Sequence, residues 1–307
     1  MRSKTGAYLE LIRYPLLAIP IAASLPGIVL AAAEVGINWR VFAAPATALC
    51  GYFAGMIKND YFHREHDRAA NPDRPLPSGR ARPKTAHRLA SGMYIACVLS
   101  GFAMGWRAGL LTMCLVAVSH SYNAYLKMRG VWGSVALPFG IALLSVYGSV
   151  CVSGGVSPGV WFCFATIFLY DAGVHIISAF KDMERDKALG VVTTPLQIGA
   201  RRAMAVSWIL TAGAFAAALT FALRVGSAAQ GACVGLAFAV AVWTRLPLLR
   251  EASEKNGYAA LKGSMIGAAL LFPSPIAGVL PFWWAAGTVA ALAGLTAVLL
   301  GRSRQEV

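Results

Sequence analysis

The residues able to do chemistry gather in two places. Lys58 to Arg82 reads KNDYFHREHDRAANPDRPLPSGRAR and follows an apolar run long enough to cross a bilayer. On a helix, Asp60, His63 and Asp67 are spaced three and four apart and share one face. Carboxylates are hard oxygen ligands of the kind Mg²⁺ takes, and the guanidinium groups of Arg68, Arg74 and Arg80 suit phosphate oxygens. Acid for a metal beside base for phosphate suits a diphosphate ester. The second place is YDAGVHIISAFKDMERDKALGVVTTP, residues 170–195. Asp171, His175, Ser178 and Asp182 fall at i, i+4, i+7 and i+11, with Asp186 one turn later, so an unbroken helix carries them as one polar stripe. Ionisable groups on an otherwise apolar membrane helix default to function. Glu184, two residues after Asp182, turns away from that stripe. Asp171 and His175 lie deeper, and either a buried hydrogen-bonded pair or a site for acceptor binding or proton removal fits their spacing.

These residues need membrane helices to position them. The chain has 307 residues, 58% hydrophobic and only 13% charged, which is not the make-up of a soluble globular domain. Runs of about 18 or more apolar residues read as crossings, because roughly 20 residues at 1.5 Å rise span the hydrocarbon core. Such runs lie near 11–33, 41–57, 85–104, 108–126, 131–151, 158–180, 202–222, 227–247 and 280–300. The expectation is therefore an all-α, polytopic membrane bundle of about nine transmembrane helices around a central lipid-accessible cavity, with residues 1–307 forming a single domain. The segment 258–276, with Pro273 and Pro275, reads as a tenth crossing or a broken helix. Arg2 and Lys4 ahead of an apolar run imitate a secretory signal, but Glu10, Arg13 and Pro15 interrupt it, and a retained first helix is the better reading. Arg13 reads as an interfacial anchor or a phosphate contact. The six cysteines sit singly in apolar segments, which argues against zinc sites and disulfides.

The net charge of +14 reports topology. Lys and Arg number eight in 58–88, five in 181–202, four in 245–262, two in 127–129 and three in 2–13, against only Arg40, Arg107 and Arg224 in the alternate loops. The positive-inside rule puts the N-terminus and both acid-rich loops in the cytoplasm. Some of this charge meets anionic membrane lipids. Its division among separate loops argues against nucleic acid. Arg245, Arg250, Lys255 and Lys262 read as boundary charges on the cytoplasmic side.

Asn59, Asp60 and Asp67, followed by Arg74-Pro75-Leu76-Pro77-Ser78-Gly79, resemble the first motif of the UbiA-type intramembrane prenyltransferases, NDxxDxxxD with its loop tail. His63 stands where that motif has its middle Asp. Because imidazole is a softer ligand than Mg²⁺ favours, the metal uses Asp60, Asp67 and water, or His63 has another task, or activity has been lost. Asp182-xxx-Asp186 is similar to the family's second motif, DxxxD, and YNAYLK (122–127) to its third conserved patch. The resemblance covers roughly 50–200. It implies Asp60, Asp67, Asp182 and Asp186 as catalytic metal-binding acids. It also implies Lys127 and Lys181 as diphosphate contacts, and Tyr122 or Tyr125 facing the isoprenoid cavity, where an aromatic face steadies a cation.

By that resemblance the chain transfers a prenyl group from an isoprenoid diphosphate to an acceptor, an aromatic or other small lipophilic molecule, with Mg²⁺ assisting ionisation inside the membrane. Asn59, His63, Arg68, Arg74, Asp171 and His175 complete the expected substrate contacts. Two alternatives stand beside it: a terpene cyclase of the same fold, which needs no acceptor, and a catalytically degenerate binding or transport homologue. Transporters place broken helices at mid-membrane in repeated halves, whereas here the polar motifs cluster at one face.

Overall fold

A computed structural model describes residues 4–302, so Arg2 lies outside the described residues. The helices among these residues are α1 (Lys4–Leu11), α2 (Ala18–Val35), α3 (Arg40–Ala70), α4 (Pro83–Met104), α5 (Trp106–Ser121), α6 (Val131–Ser153), α7 (Val160–Ser178), α8 (Met183–Ala188), α9 (Thr194–Ile198), α10 (Ala200–Val225), α11 (Ala228–Arg250), α12 (Glu254–Leu271) and α13 (Phe282–Arg302). Eight helical segments among the described residues are long and apolar enough to cross a membrane. Helices α4 and α5 join them as a hairpin that turns at Gly105 (φ 146°). The segment 258–276 belongs to α12 and a following 3₁₀ turn, and this span is the most buried of the eight.

Helix packing in a bilayer relies on close backbone approach rather than on a hydrophobic gradient, so small residues mark the tightest seams. The seam between α2 and α6 is built this way. A methyl group on Gly27 would run into the Ser145 carbonyl, and one on Gly148 into the Ser24 carbonyl. Ser24, Ser145 and Ser149 along this seam are fully buried. Ser145 and Ser24 satisfy their hydroxyls on their own helices, at 2.8 Å to Ala142 O and 3.1 Å to Ile21 O.

Helix α3 sets up the site. Its 31 residues extend about 46 Å at 1.5 Å per residue, well beyond a hydrocarbon core of about 30 Å. The apolar first half spans, and the half carrying Asp60 to Arg68 emerges at one membrane face. One charge departs from the expectation. Arg245 is not a boundary residue but a fully buried one. Its Nε donates to Ser264 Oγ at 2.9 Å, its Nη1 donates to Thr211 Oγ1 at 2.5 Å, and its guanidinium lies over the Tyr170 ring. Arginine tolerates this because its fork reaches partners on three helices at once.

Candidate active site

The emergent end of α3 is organised by partners brought from far away in sequence. Asp60 and Asp67 are both buried, and a buried carboxylate needs a counter-charge. Arg13 supplies it for Asp60, donating at 2.8 Å from just ahead of α2. Arg74 supplies it for Asp67 with one nitrogen 2.9 Å from both carboxylate oxygens, and Asn71 adds a bond at 3.3 Å. Arg13 has φ 47° and ψ 52°, the left-handed region, which costs a non-glycine residue about 1–2 kcal/mol. That turn swings its side chain back over Asp60. Burial pulls the Arg13 guanidinium down, but the charge and hydrogen bond of Asp60 more than offset this and hold it above its ordinary value.

Asn59 links this end to the turn after α5. Its Oδ1 accepts from Lys127 Nζ at 2.7 Å, and its Nδ2 donates to Asn123 Oδ1 at 2.8 Å. Burial and the nearby charges of Arg13 and Arg74 push the Lys127 ammonium down to about 7, against the pull of Asp67 and Asp60. Tyr122–Leu126 forms a π turn, closed by Lys127 N–H to Tyr122 O at 2.9 Å, a geometry common at functional sites. It turns Tyr122 inward and leaves Tyr125 62% exposed. Of the two tyrosines expected at the cavity, Tyr122 lines it and Tyr125, expected as a substrate contact, turns outward. Arg68 is corrected in the same way: its side chain is 65% exposed and pairs with Glu65 on the outside of α3. The i, i+3 spacing that allows this pair also rotates Arg68 off the Asp60–Asp67 face.

The second acid-rich segment is not one unbroken stripe. Helix α7 stops at Ser178, and Ala179–Asp182 forms a 3₁₀ turn before α8. A 3₁₀ helix has three residues per turn rather than 3.6, so the four-residue turn rotates Asp182 about 80° from the line of Asp171 and His175. The tightening occurs where α12 presses in: a methyl on Gly257 would strike the Lys181 backbone. Asp182 pairs with Lys181 at 3.1 Å and with Arg185 at close range. Asp186 is buried, whereas Glu184 is exposed.

The two ends meet. Arg185 Nη1 reaches the Ala70 carbonyl at the end of α3, 3.4 Å away. Arg185 also lines a polar cavity of about 270 Å³ together with Arg13, Asp60, Arg74, Arg80 and Tyr258. Arg80 is held to Glu10 by two bonds, 2.9 and 2.7 Å, which draws α1 over this cavity. A second, apolar cavity of about 100 Å³ lies deeper in the bundle, lined by Tyr52, Gly55, Leu115, Tyr122, Asn123 and Tyr147 among others. Helix α3 contributes to both, Gly55 to the apolar cavity and Asp60 to the polar one, and Asn123, which lines the apolar cavity, bonds Asn59 next to Asp60.

Asp171 and His175 do not pair with each other. His175 Nε2 bonds the Tyr122 hydroxyl at 3.0 Å and its Nδ1 bonds Ser134 Oγ at 3.2 Å. His63 is partly buried, with an Nε2 atom that is buried and has no partner.

The family motif implies a divalent metal, and the donor set fits one. Asp60, Asp67, Asp182 and Asp186 are hard oxygen donors on the two segments that the Arg185–Ala70 bond brings together, and His63, on the helix face of Asp60 and Asp67, carries a buried nitrogen without a partner. Among the described residues no three acid, histidine or cysteine side chains stand together as a ready cluster; three of the four acids are paired with cations instead. The described wall of the polar cavity carries four guanidinium groups and four carboxylates. A diphosphate entering that balanced wall brings uncompensated negative charge, which divalent cations offset.

Several residues of the candidate site are not marked as such by the sequence. In the sequence Arg13 reads first as an interfacial anchor and only second as a phosphate contact, because its left-handed turn has no glycine to signal it. Arg185 sits between acids without a motif of its own. Tyr258 lies beyond the resembling region, yet its ring covers Lys181 Nζ at 5.0 Å. Its position four residues into a polar-started helix was the one available clue.

Residues 17–266 match the model of the UbiA prenyltransferase family. The digeranylgeranylglyceryl phosphate synthase of Methanothermobacter thermautotrophicus is 29% identical over 261 residues, covering 84% of this chain and 89% of the relative. That of Pyrococcus abyssi is 30% identical over 217 residues, covering 69% and 74%. Among solved structures, one of a digeranylgeranylglyceryl phosphate synthase superposes with a TM-score of 0.69 at 22% identity, covering 90% of this chain and 98% of the other. A UbiA homologue from Archaeoglobus fulgidus bound to GPP and Mg²⁺ also gives 0.69, at 17% identity, covering 89% and 99%.

Proposed function

Because the chain belongs to the UbiA prenyltransferase family, we propose that its two acid-bearing helix ends clamp one isoprenoid diphosphate between them. It is an integral, multi-pass membrane prenyltransferase, moving a prenyl group from an isoprenoid diphosphate to an acceptor. The observation that carries the site assignment is the meeting of the two ends: Arg185, four residues from Lys181, touches the last turn of α3 and shares a cavity with Asp60 and Arg74.

In this reading Asp60 and Asp67 on α3 and Asp182 and Asp186 around α8 hold Mg²⁺. When bound, the metal offsets charge growing on the leaving diphosphate. The remaining work belongs to the chain. Arg13 and Arg74 leave the carboxylates they now neutralise and turn to phosphate oxygens, with Lys127 and Lys181 below them. Lys127, depressed to about 7 in the free protein, regains its full charge beside a diphosphate, because an adjacent anion favours the charged form. Asn59, fixed by Asn123 and Lys127, keeps the first end in register. The apolar cavity below Asn123 takes the isoprenoid tail and keeps water from the allylic cation, with the Tyr122 and Tyr52 rings on its wall. The acid-bearing ends and the N-terminus face the cytoplasm, a placement supported by the Lys and Arg excess in those loops.

For the acceptor, the relatives named above point to a phosphorylated polyol, a glyceryl phosphate that already carries one isoprenoid ether, rather than an aromatic ring. The polar cavity supports this, since Arg80 and Arg185 stand on its wall besides Arg13 and Arg74 and offer guanidinium groups to a second phosphate. The test is an incubation of the full chain in lipid vesicles with geranylgeranyl diphosphate, Mg²⁺ and either geranylgeranylglyceryl phosphate or a hydroxybenzoate. Transfer to the glyceryl phosphate with little to the phenol is the expected result. Preferential prenylation of the phenol overturns the acceptor assignment, and cyclised hydrocarbon without any acceptor overturns the transferase.

A further inference from the structure

Any prenyl transfer to an O–H or C–H acceptor leaves one proton to dispose of, and none of the groups assigned to the diphosphate can take it while they neutralise phosphate charge. The structure contains a different set of residues suited to it. Tyr122 is 6% exposed and lines the apolar cavity. Its chain neighbour Asn123 holds Asn59, beside Asp60, and Tyr122 itself lines the cavity assigned above to the prenyl tail. From its hydroxyl a row of hydrogen bonds runs away from the diphosphate: 3.0 Å to His175 Nε2, 3.2 Å from His175 Nδ1 to Ser134 Oγ, and 2.7 Å from Ser134 Oγ to Thr194 Oγ1. The row joins the π turn, α7, α6 and α9, and each of its bonds links residues at least 41 positions apart. It ends under the loop where Gly190 and Val192 are exposed. The bonds can all run one way. In that direction the Tyr122 hydroxyl donates to Nε2, the Nδ1–H donates to Ser134, and Ser134 donates to Thr194, with the imidazole neutral and its basic Nε2 accepting from the tyrosine.

We propose that Tyr122 is the catalytic base group that receives the acceptor's proton, with His175 as its positioning partner and proton store. This rests on the prenyltransferase reading above. As the C1–O bond breaks, the diphosphate leaves with the electron pair, and the acceptor atom forms its bond to C1. The acceptor's own O–H or C–H bond breaks, and that proton passes to Tyr122 Oη while the hydroxyl proton of Tyr122 passes to His175 Nε2. The proton rests on His175 as imidazolium, whose Nδ1–H still donates to Ser134, and returns through Tyr122 Oη to the departing diphosphate. Asp171, one turn earlier on α7, forms no hydrogen bond with His175 among the described residues, and the relay does not use it.

The test uses the full chain in vesicles with Tyr122→Phe, which keeps the ring, and His175→Gln, which keeps hydrogen-bonding reach without a titratable nitrogen. General-base assistance contributes 10²–10⁴-fold. Each variant should therefore lose about a hundredfold in kcat for transfer while KM for the prenyl diphosphate stays within about threefold. Diphosphate release should fall less than transfer, with prenyl alcohol appearing as water takes the cation. Added imidazole should restore transfer in His175→Ala. Wild-type kcat in both variants, or equal loss of release and transfer with a raised KM and no imidazole rescue, overturns the proposal. Nitrogen-15 spectra of labelled histidine, with His175→Gln for assignment, provide a readout independent of turnover. The Nδ1–H tautomer at His175, disturbed by Tyr122→Phe, is the expected result, and an Nε2–H tautomer overturns the relay. A wild-type protein that neither releases diphosphate nor transfers counts instead against the prenyltransferase reading.

Discussion

The two acid-rich helix ends look alike in sequence and differ in how they are held. On α3 the carboxylates are 6% and 5% exposed, and Asp60 is neutralised by an arginine 47 positions away. Around α8, Asp182 is 22% exposed and is neutralised by its own neighbours, Lys181 and Arg185. The first end thus depends on tertiary structure, on an intact long helix and a strained Arg13. The second is a locally wired segment on a broken helix. A buried, remotely paired acid is rigid and costly to disturb, whereas an exposed, locally paired one contributes little through its pairing. The first end is suited to fixing geometry and the second to closing on a substrate.

The largest effect should leave that contrast untouched. Asp67→Asn and Asp182→Asn each remove a carboxylate from the clamp without changing size. Each should lower diphosphate release by about 10²–10³-fold, the scale of losing one preorganised electrostatic contact. Release measured with purified protein and Mg²⁺ decides it, and undiminished turnover in both variants would sink the clamp.

The arginines divide the two ends more sharply. Arg13→Ala strips Asp60 of its partner and leaves a buried carboxylate exposed to desolvation cost. A charged hydrogen bond of about 1.5–3 kcal/mol corresponds to a roughly ten- to hundredfold rise in KM for the diphosphate, together with a lower melting temperature. Arg185→Ala, on a side chain 35% exposed, forfeits about 0–1 kcal/mol of pairing and should raise KM by about fivefold at most, with little change in melting. Equal penalties for the two would erase the distinction between a rigid end and a local one.

Much of this was legible in the sequence because it depends on short-range pattern. Apolar runs of crossing length give the bundle, and three- and four-residue spacings put Asp60, His63 and Asp67 on one face of α3. What escaped depends on contacts between distant segments. The 3₁₀ turn at Ala179–Asp182 sits where α12 presses in at Gly257, 75 residues beyond Asp182, so no local spacing could show that the stripe breaks. Arg245 reads as a boundary charge because it ends a span, yet Thr211, Ser264 and Tyr170 from three other helices enclose it. Tyr122 and Tyr125 are equivalent by composition, and only the π turn separates the buried one from the exposed one.

The smallest expected effect bears on the residue that makes the first end unlike the second. Around α8 both acids of the DxxxD pattern are present, whereas on α3 the middle position is His63, whose Nε2 is buried without a partner. An imidazole there offers Mg²⁺ a ligand softer than oxygen, and carboxylate count sets affinity for hard cations. His63→Asp adds a carboxylate on the face shared by Asp60 and Asp67. It should lower the Mg²⁺ concentration for half-maximal rate roughly three- to tenfold, up to about 1.4 kcal/mol, while kcat stays within about threefold. The first end would then match the second in ligand number while remaining the rigid partner, and the Arg13 and Arg185 penalties should keep their order in that background. A collapse of kcat in His63→Asp has the opposite meaning: the unpartnered nitrogen serves the diphosphate directly as a hydrogen-bond donor, a role that a carboxylate in its place would actively oppose.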